Sequence, residues 1–302
     1  MRGSGLRAMG WMAVLAAAMV FPSCRRAPEG PPKAVPVAED GVLDLRLMSF
    51  NIRYENGEDP GSRSWRERVV GAVHMIREEK PDVFGVQEAL HGQAADLRAS
   101  LPEYRFHGVG RDDGAKHGEY SAVFYQADRF VPDPADAGTF WLSDTPEKPG
   151  SRTWGNEIPR VATWVRLDDR ATGRGFYVFN THWDHRNQPS REKAAELIVR
   201  RIEGRKHKDQ PVVLLGDFNA VLDNPAVRTL AASGLADAWH KLHSAERDIT
   251  TLHFWQGSRR GRRKVDHILV SGGAEVVAAG IRDQDEPMVS DHFPVTARVR
   301  FH

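Results

Sequence analysis

The chain has 302 residues, 40% of them hydrophobic and 27% charged, which suits one globular domain of roughly 250 residues plus a leader and leaves little room for a second full domain. A formal net charge of +1 argues neither for a polyanion-coating protein nor for an acidic tail, and local basic clusters remain free to act. The single cysteine excludes an internal disulfide.

Arg2 and Arg7 precede an apolar run over 8–21, followed by Pro22, Ser23 and Cys24. That order is the order of an export signal, and the run is shorter than the about 20 apolar residues of a spanning helix. Cys24, directly after it, resembles the lipidated cysteine of bacterial lipoproteins; a plainly cleaved secretory signal and an uncleaved anchor are the alternatives. The first two readings export the protein, to the bacterial cell envelope or beyond, with a lipid anchor as its membrane contact. Residues 25–40 hold several prolines and no apolar periodicity, the composition of a flexible tether. The expected organisation is therefore a leader over 1–24, a tether over 25–40 and one domain over 41–302.

Leu43, Leu45 and Leu47 alternate into Ser49-Phe50-Asn51-Ile52, a period-two strand that leaves Asn51 at its polar end. Ser64 is positioned to cap a helix carrying Val69, Val70, Val73 and Ile76 at helical spacing until Pro81 stops it. A buried strand over 83–86 then delivers Glu88. Strands are expected over 120–125, 161–167 and 176–179, the last leading into Asn180-Thr181-His182. A charged segment over 190–205, with Ala194, Ala195, Leu197, Ile198 and Ile202 on one face, reads as a helix. The strand over 212–215 carries Asp217 and Asn219, and strands over 265–270 and 293–301 follow, with Ser290-Asp291-His292 at the entrance to the last. No internal repeat of solenoid length is present. Helices among many strands fit two packed sheets covered by helices, an α/β or α+β class.

Polar residues at strand ends are where such folds place sites. Glu88, at the exit of an apolar strand, is a hard-oxygen ligand for a divalent cation, or simply a surface glutamate. In Gly216-Asp217-Phe218-Asn219 the acid and the amide, two apart on an extended segment, point to one side. Ser290-Asp291-His292 sets an acid beside a proton-moving imidazole, or is a turn with a capping aspartate. Asp266 is placed to orient His292 as carboxylates fix a catalytic imidazole.

Ser49-Phe50-Asn51-Ile52, Gln87-Glu88, Asn180-Thr181-His182, Gly216-Asp217-Phe218-Asn219, Val265-Asp266-His267-Ile268 and Ser290-Asp291-His292 stand in the order seen in the endonuclease/exonuclease/phosphatase superfamily. From residue 43 to the C-terminus the chain resembles that superfamily. The resemblance implies an α/β fold, a four-layer α/β sandwich with two central, mostly antiparallel sheets flanked by helices. It implies a phosphoesterase using Mg2+ or Mn2+, in which Glu88 binds the metal with Asn51 and Asp291 nearby. Asp217 would orient or deprotonate the attacking water, and Asn219 would hold a phosphate oxygen or the nucleophile. His292, paired with Asp266, would contact the scissile phosphate. His182 resembles the second histidine of pancreatic-type deoxyribonucleases, and Glu119 resembles the acid that orients it. The chain departs where apurinic-site endonucleases of the superfamily carry an aspartate two residues after the strand-end asparagine. Here that residue is Arg53, which removes support for a second acidic ligand and for a damage-repair role.

Further runs, among them Arg53-Tyr54, Ser64-Trp65, Gly118-Glu119-Tyr120 and His182-Trp183-Asp184-His185, resemble a bacterial branch of the superfamily. His185 is a candidate phosphate or metal contact, or part of a hydrogen-bonded turn with Asp184. Arg111, beside Asp112 and Asp113, is a candidate for the substrate mouth, or part of a surface turn. For the substrate, nucleic acid stands first: the basic residues Arg259, Arg260, Arg262, Arg263 and Lys264 offer phosphate contacts, and Trp65, Trp183 and Trp255 offer stacking. That reading is a nuclease-type phosphodiesterase, with 3' to 5' exonuclease action open. Its alternatives are a phosphatase or phospholipase C-like hydrolase of small or lipid phosphoesters and, in another class, a non-catalytic binding protein. A monomer is expected.

Overall fold

The computed structural model describes Met1 and residues 41–302 except Asp285; the leader, the tether and Cys24 lie outside the described residues. In chain order the first half contains β1 (Leu43–Asn51), α1 (Trp65–Glu79), β2 (Val83–Ala89), α2 (His91–Ser100), β3 (Tyr104–His107), β4 (Tyr120–Gln126) and β5 (Phe130–Trp141). The second half contains β6 (Val161–Asp169), β7 (Gly175–His182), α3 (Gln188–Glu203), β8 (Val212–Asp217) and α4 (Pro225–Ala232). It closes with β9 (Leu235–Asp237), α5 (Ala238–Leu242), β10 (Asp266–Ser271), β11 (Glu275–Ile281) and β12 (Val295–Phe301).

The strands form two six-stranded sheets, ordered β11-β12-β1-β2-β4-β3 and β5-β6-β7-β8-β10-β9. Each contains one parallel pair, β1 with β2 and β7 with β8, and all other neighbours are antiparallel. The parallel pairs follow from the crossover helices α1 and α3, because two parallel neighbours cannot be joined by a tight turn. Each β-α-β unit brings two strand C-termini to the same edge. Asn51 and Gln87 are partners in the first pair, and His182 and Asp217 in the second.

Alternation along the strands sorts side chains into three apolar layers. Leu43, Leu45 and Leu47 face the other sheet and meet Val178, Val213, Leu215 and Ile268 between the sheets. Met48, Phe50, Phe84 and Phe124 face outward onto α1 and α2, where Ala72, Ile76 and Leu97 cover them. Tyr177, Phe179 and Leu214 face α3 and α4, packing on Ala195, Ile198 and Leu230. This is the expected four-layer α/β sandwich.

The sheets are fastened at depth by the buried Asn180 of β7. Its Nδ2 donates to the carbonyls of Val86 and Ala122 on the opposite sheet, at 2.9 and 2.8 Å, and its Oδ1 accepts from Gln87 at 2.7 Å. Gly85 makes the approach possible, since a Cβ there would lie 2.7 Å from the Asn180 side chain.

Two local expectations are corrected. Val70 is 75% exposed, because the buried stripe of α1 runs through Trp65, Arg68, Ala72, Val73 and Ile76. Ser64 occupies the N-cap position, yet its hydroxyl donates back to the Gly61 carbonyl at 2.8 Å instead of capping α1.

Candidate active site

The C-terminal ends of β1, β2, β7 and β8, the first residue of β10 and the segment before β12 converge on Asp217. Its carboxylate is 1% exposed. Asn51 Nδ2 donates to Asp217 Oδ2 at 2.9 Å and to Glu88 Oε1 at 3.0 Å, joining the two sheets through one amide. His182 Nε2 lies 3.5 Å and His292 Nε2 3.9 Å from the same Asp217 Oδ2. Asn219 donates its backbone N–H to Asp217 Oδ1 at 2.8 Å and its Nδ2 to the Trp183 carbonyl at 3.0 Å. Asn219 and Glu88 both have left-handed backbones, φ 46° and 64°. Such conformations cost free energy in non-glycine residues and persist where surrounding contacts over-determine them.

His292 is fixed by Asp266, whose Oδ2 lies 2.9 Å from Nδ1. Ser290 locks the same segment: its hydroxyl donates to the Asn51 carbonyl at 2.7 Å and accepts from the His292 N–H at 3.2 Å. Burial opposes charge on His292, but Asp266, Asp217 and Asp291 outweigh it and hold the imidazolium well above its ordinary range. Asp266 is lowered: burial raises it, and the His292 charge and hydrogen bond prevail. Asp217 is pushed up to about 7 by burial, reinforced by Asp266 and Glu88. Burial also raises Asp291. His182 is held well below its ordinary range by burial first and by the Arg160 cation second. One buried pocket thus contains a cationic imidazole, a neutral imidazole and a carboxyl poised near neutrality. Opposed shifts of this kind mark acid and base roles.

The donor set fits a hard divalent cation. Ligand atoms of Glu88, His182 and Asp217 lie within 4.8 Å of one another, as do those of Asp217, Asp266 and His292. Asp266 Oδ1 and Asp291 Oδ1 are buried without a hydrogen-bond partner, the condition of carboxylates that await a cation or substrate. Glu88 and Asp217 supply oxygens of the kind Mg2+ and Mn2+ prefer. Asp291 belongs to neither three-residue group; its Oδ2 lies 4.0 Å from Arg53 Nη1. Arg53 also donates to Asp59 at 2.8 Å, so this cation lies between two aspartates.

The other expected site residues are each held by specific partners. Glu119 approaches His182 Nδ1 to 3.5 Å, but that nitrogen has no hydrogen-bond partner. The glutamate is committed instead to Arg111, which donates to both of its oxygens at 2.6 and 2.7 Å. Arg111 is accordingly only 7% exposed, with its Nε buried without a hydrogen-bond partner. Trp183 is fully buried, its ring stacked 4.5 Å from Phe218, so no face remains for a base; Trp65 is buried too, its indole donating to Asp96 at 2.8 Å. Trp255 is half-buried, with the Arg63 and Arg68 guanidinium groups 5.3 and 5.5 Å from its ring. In the basic run, Lys264 is buried against Asp237 at 3.2 Å and Arg259 pairs with Asp283 at 3.0 Å, leaving Arg260, Arg262 and Arg263 exposed. Asp184 makes the anticipated turn, accepting from the backbone of Arg186 and Asn187 at 2.8 and 2.7 Å. His185 turns its Nδ1 to Arg160 Nη2 at 3.1 Å.

Two positioning arginines carry no motif. Arg68 is 2% exposed and donates to the carbonyls of Ile52, Arg53, Arg63 and Val289, clamping the loops that carry Asn51 and Ser290. Its helical phase with Trp65 and Ala72 was a usable signal, since a charge on a buried stripe must serve buried acceptors. Arg160, 4% exposed, precedes β6 and had no comparable signal. A cavity of about 660 Å3 is lined by Asp237, Trp239, Glu246, Arg262 and Lys264 among others and by none of the converging groups. Size therefore does not locate this site; charge and orphaned polar atoms do.

The family model described as Endonuclease/Exonuclease/phosphatase family matches residues 48–292. A solved endonuclease/exonuclease/phosphatase from Bacteroides vulgatus is 35% identical, covering 86% of this chain and 100% of its own, at a TM-score of 0.80. A mannosyl-6-phosphatase of Bacteroides thetaiotaomicron is 33% identical over 84% of this chain and 99% of its own, at 0.76. The human Nocturnin catalytic domain, solved with bound sulfate, is 20% identical over 86% and 96%, at 0.68, a likeness of fold alone. Among the curated proteins none matches.

Proposed function

Since the chain belongs to the Endonuclease/Exonuclease/phosphatase family, whose members are metal-dependent phosphoesterases, we propose that it hydrolyses small polar phosphoesters, sugar phosphates foremost, by direct attack of water. The observation that carries the chemistry is the shared carboxylate: Asp217 Oδ2 stands within 4 Å of Asn51, His182 and His292 at once. At about 7, Asp217 is matched to accept a proton from water near neutral pH. Asn219, anchored on Asp217 and on the Trp183 carbonyl, is placed to orient that water. His292, kept protonated by Asp266, can donate Nε2–H to a phosphoryl oxygen as negative charge gathers there. A divalent metal, held by Glu88 with Asn51 and Asp291 nearby, would neutralise charge on the phosphoryl group. The water oxygen bonds to phosphorus as the ester P–O bond breaks, and no covalent enzyme intermediate forms.

The preference for small esters rests on two supports. The 33% identical relative is a mannosyl-6-phosphatase, and two of the three tryptophans available for base stacking are buried. A nuclease-type phosphodiesterase is the second reading. It is favoured by the 49% exposed Phe254, whose ring carries Arg263 at 5.1 Å and whose N–H bonds the Asp291 carbonyl at 3.2 Å.

Hydrolysis of hexose 6-phosphates, p-nitrophenyl phosphate, bis(p-nitrophenyl) phosphate, single-stranded DNA and RNA with Mg2+ or Mn2+ separates these readings. Monoester turnover lost in Asp217→Asn supports the first; turnover confined to polynucleotides replaces it by the second. On the same footing we propose export with acylation at Cys24, tested by radiolabelled palmitate incorporation in the wild type against Cys24→Ala.

A further inference from the structure

Arg160 and Arg68 are both strongly buried, and neither has a carboxylate within 4.0 Å among the described residues, but Arg68 donates to four backbone carbonyls while Arg160 is left largely unpartnered. Its Nη2 meets His185 Nδ1 at 3.1 Å, while Nε and Nη1 are buried without an acceptor. The obvious acid, Glu119, is already held at both oxygens by Arg111. Glu119, Asp184 and Glu88 stabilise the Arg160 charge at longer range, yet burial and Arg111 outweigh them and pull it down. The same guanidinium acts on His182 and His185, lowering both after burial itself. Its contact with His185, three residues beyond His182, sets it beside the site. An unpaired buried guanidinium is costly, and its planar fork matches two oxygens of a phosphate.

We propose that Arg160, steadied by His185, is the specificity-determining residue of this site, taking the second negative charge of a phosphomonoester dianion. A diester presents only one charge and leaves Arg160 uncompensated, so discrimination follows from electrostatics alone. The surroundings suit a hydroxylated leaving group. His185, though not Arg160 itself, lines a cavity of about 270 Å3 together with Asn156, Glu157, Asp184 and Asn187, with no apolar side chain. In that wall Asn156 Oδ1 is a buried acceptor without a donor. The chemical class is a phosphate monoester of a polyol, with the phosphate toward Arg160 and hydroxyls toward Asn156.

This inference rests on the phosphoesterase reading, and the test separates the two. Wild type, Arg160→Gln and Arg160→Lys, each loaded with Mn2+ and checked by thermal melting, are assayed on p-nitrophenyl phosphate and bis(p-nitrophenyl) phosphate. In Arg160→Gln the monoester kcat/KM falls about 100-fold, chiefly through KM, and the monoester-to-diester ratio falls at least about tenfold; Arg160→Lys recovers part of the ratio. Equal losses on both esters would overturn the assignment, because a merely structural arginine would not move the ratio. Wild type inert on every phosphoester would instead sink the proposed function, and the inference with it. If Arg160→Gln does not fold, inhibition of the wild type decides: inorganic phosphate binds at least about tenfold tighter than dimethyl phosphate, and equal inhibition overturns the role of Arg160.

Discussion

Asp266 and His267 are adjacent on β10, and each belongs to a buried aspartate–histidine pair, but the pairs lie on opposite faces of the strand. On one face Asp266 holds His292 at 2.9 Å. On the other His267 Nδ1 lies 2.7 Å from Asp237 Oδ2, its Nε2 meets the Ala220 carbonyl at 2.9 Å, and its ring stacks 5.0 Å from Phe218. Lys264 completes that second pair, reaching Asp237, the Asp266 carbonyl and His267 at 3.2, 3.1 and 3.2 Å. Every polar atom of the His267 ring is engaged. Around His292, by contrast, Asp266 Oδ1 and Asp291 Oδ1 have no partner, and Nε2 stands 3.9 Å from Asp217, beyond a hydrogen bond. The same two residue types make a structural fastening where their valences are filled and a reactive centre where they are left open.

The sharpest way to break that contrast is substitution on the open face. Asp217→Asn and His292→Ala should each lower kcat by about 10² to 10⁴-fold, the usual worth of a positioned proton-transfer group. Their melting temperatures should stay near that of the wild type. A variant retaining a tenth of the wild-type kcat would remove its residue from the chemistry.

The filled face should respond oppositely. Asp237→Ala strands Lys264, which is 8% exposed, and should cost about 3–5 kcal/mol in urea unfolding while kcat of the folded protein changes by less than about threefold. The double variant Asp237→Ala/Lys264→Met should recover much of the loss. Lys264 and His267 hold the Asp237 carboxyl well below the ordinary range against the opposing effect of burial. A depressed carboxyl contributes stability above its unfolded value, near 3.9, and loses it as pH falls through the folded value. The gap between wild type and Asp237→Asn should thus be constant from about pH 8 to pH 4 and close only in stronger acid. A gap that closed near pH 6 would mean a different group titrates.

Metal should sharpen the contrast by acting on one face only. Chelation should abolish turnover, and Mg2+ at about 100 times its dissociation constant should stabilise the wild type by about 2.7 kcal/mol. Glu88→Ala should lose both effects, whereas Asp237→Asn should keep the full metal increment. Equal metal stabilisation of Glu88→Ala would move the ligand set elsewhere.

The strand-end clusters were legible because apolar runs ending in acids and amides survive as pattern in the sequence, and Asn51, Glu88, His182, Asp217 and His292 do converge. Elements without a strong period were not. α2 buries only Gln93, Ala94 and Leu97, and β5 is an edge strand carrying Pro132 and Pro134, residues that argue against a strand anywhere but an edge. Only the family motifs separate His267 from His292 in the sequence, since both sit beside an aspartate and only topology supplies Lys264 and Ala220 to one of them. Arg160 was silent for a related reason: its character lies in acceptors it does not meet.

Trp183 is the smallest test and the most direct on this point. It adjoins His182, which is why it invited a stacking role, but the pleat sends consecutive side chains to opposite sides. His182 faces Asp217, and Trp183 packs on Phe218, which in turn stacks on His267. The ring therefore packs with the filled face, although its indole Nε1 is buried without a partner. Trp183→Phe should reduce stability by about 1–2 kcal/mol through lost volume and leave KM within about twofold on monoesters and polynucleotides alike. A rise in KM confined to polynucleotides would return the ring to the substrate and erase the boundary drawn between the two faces of β10.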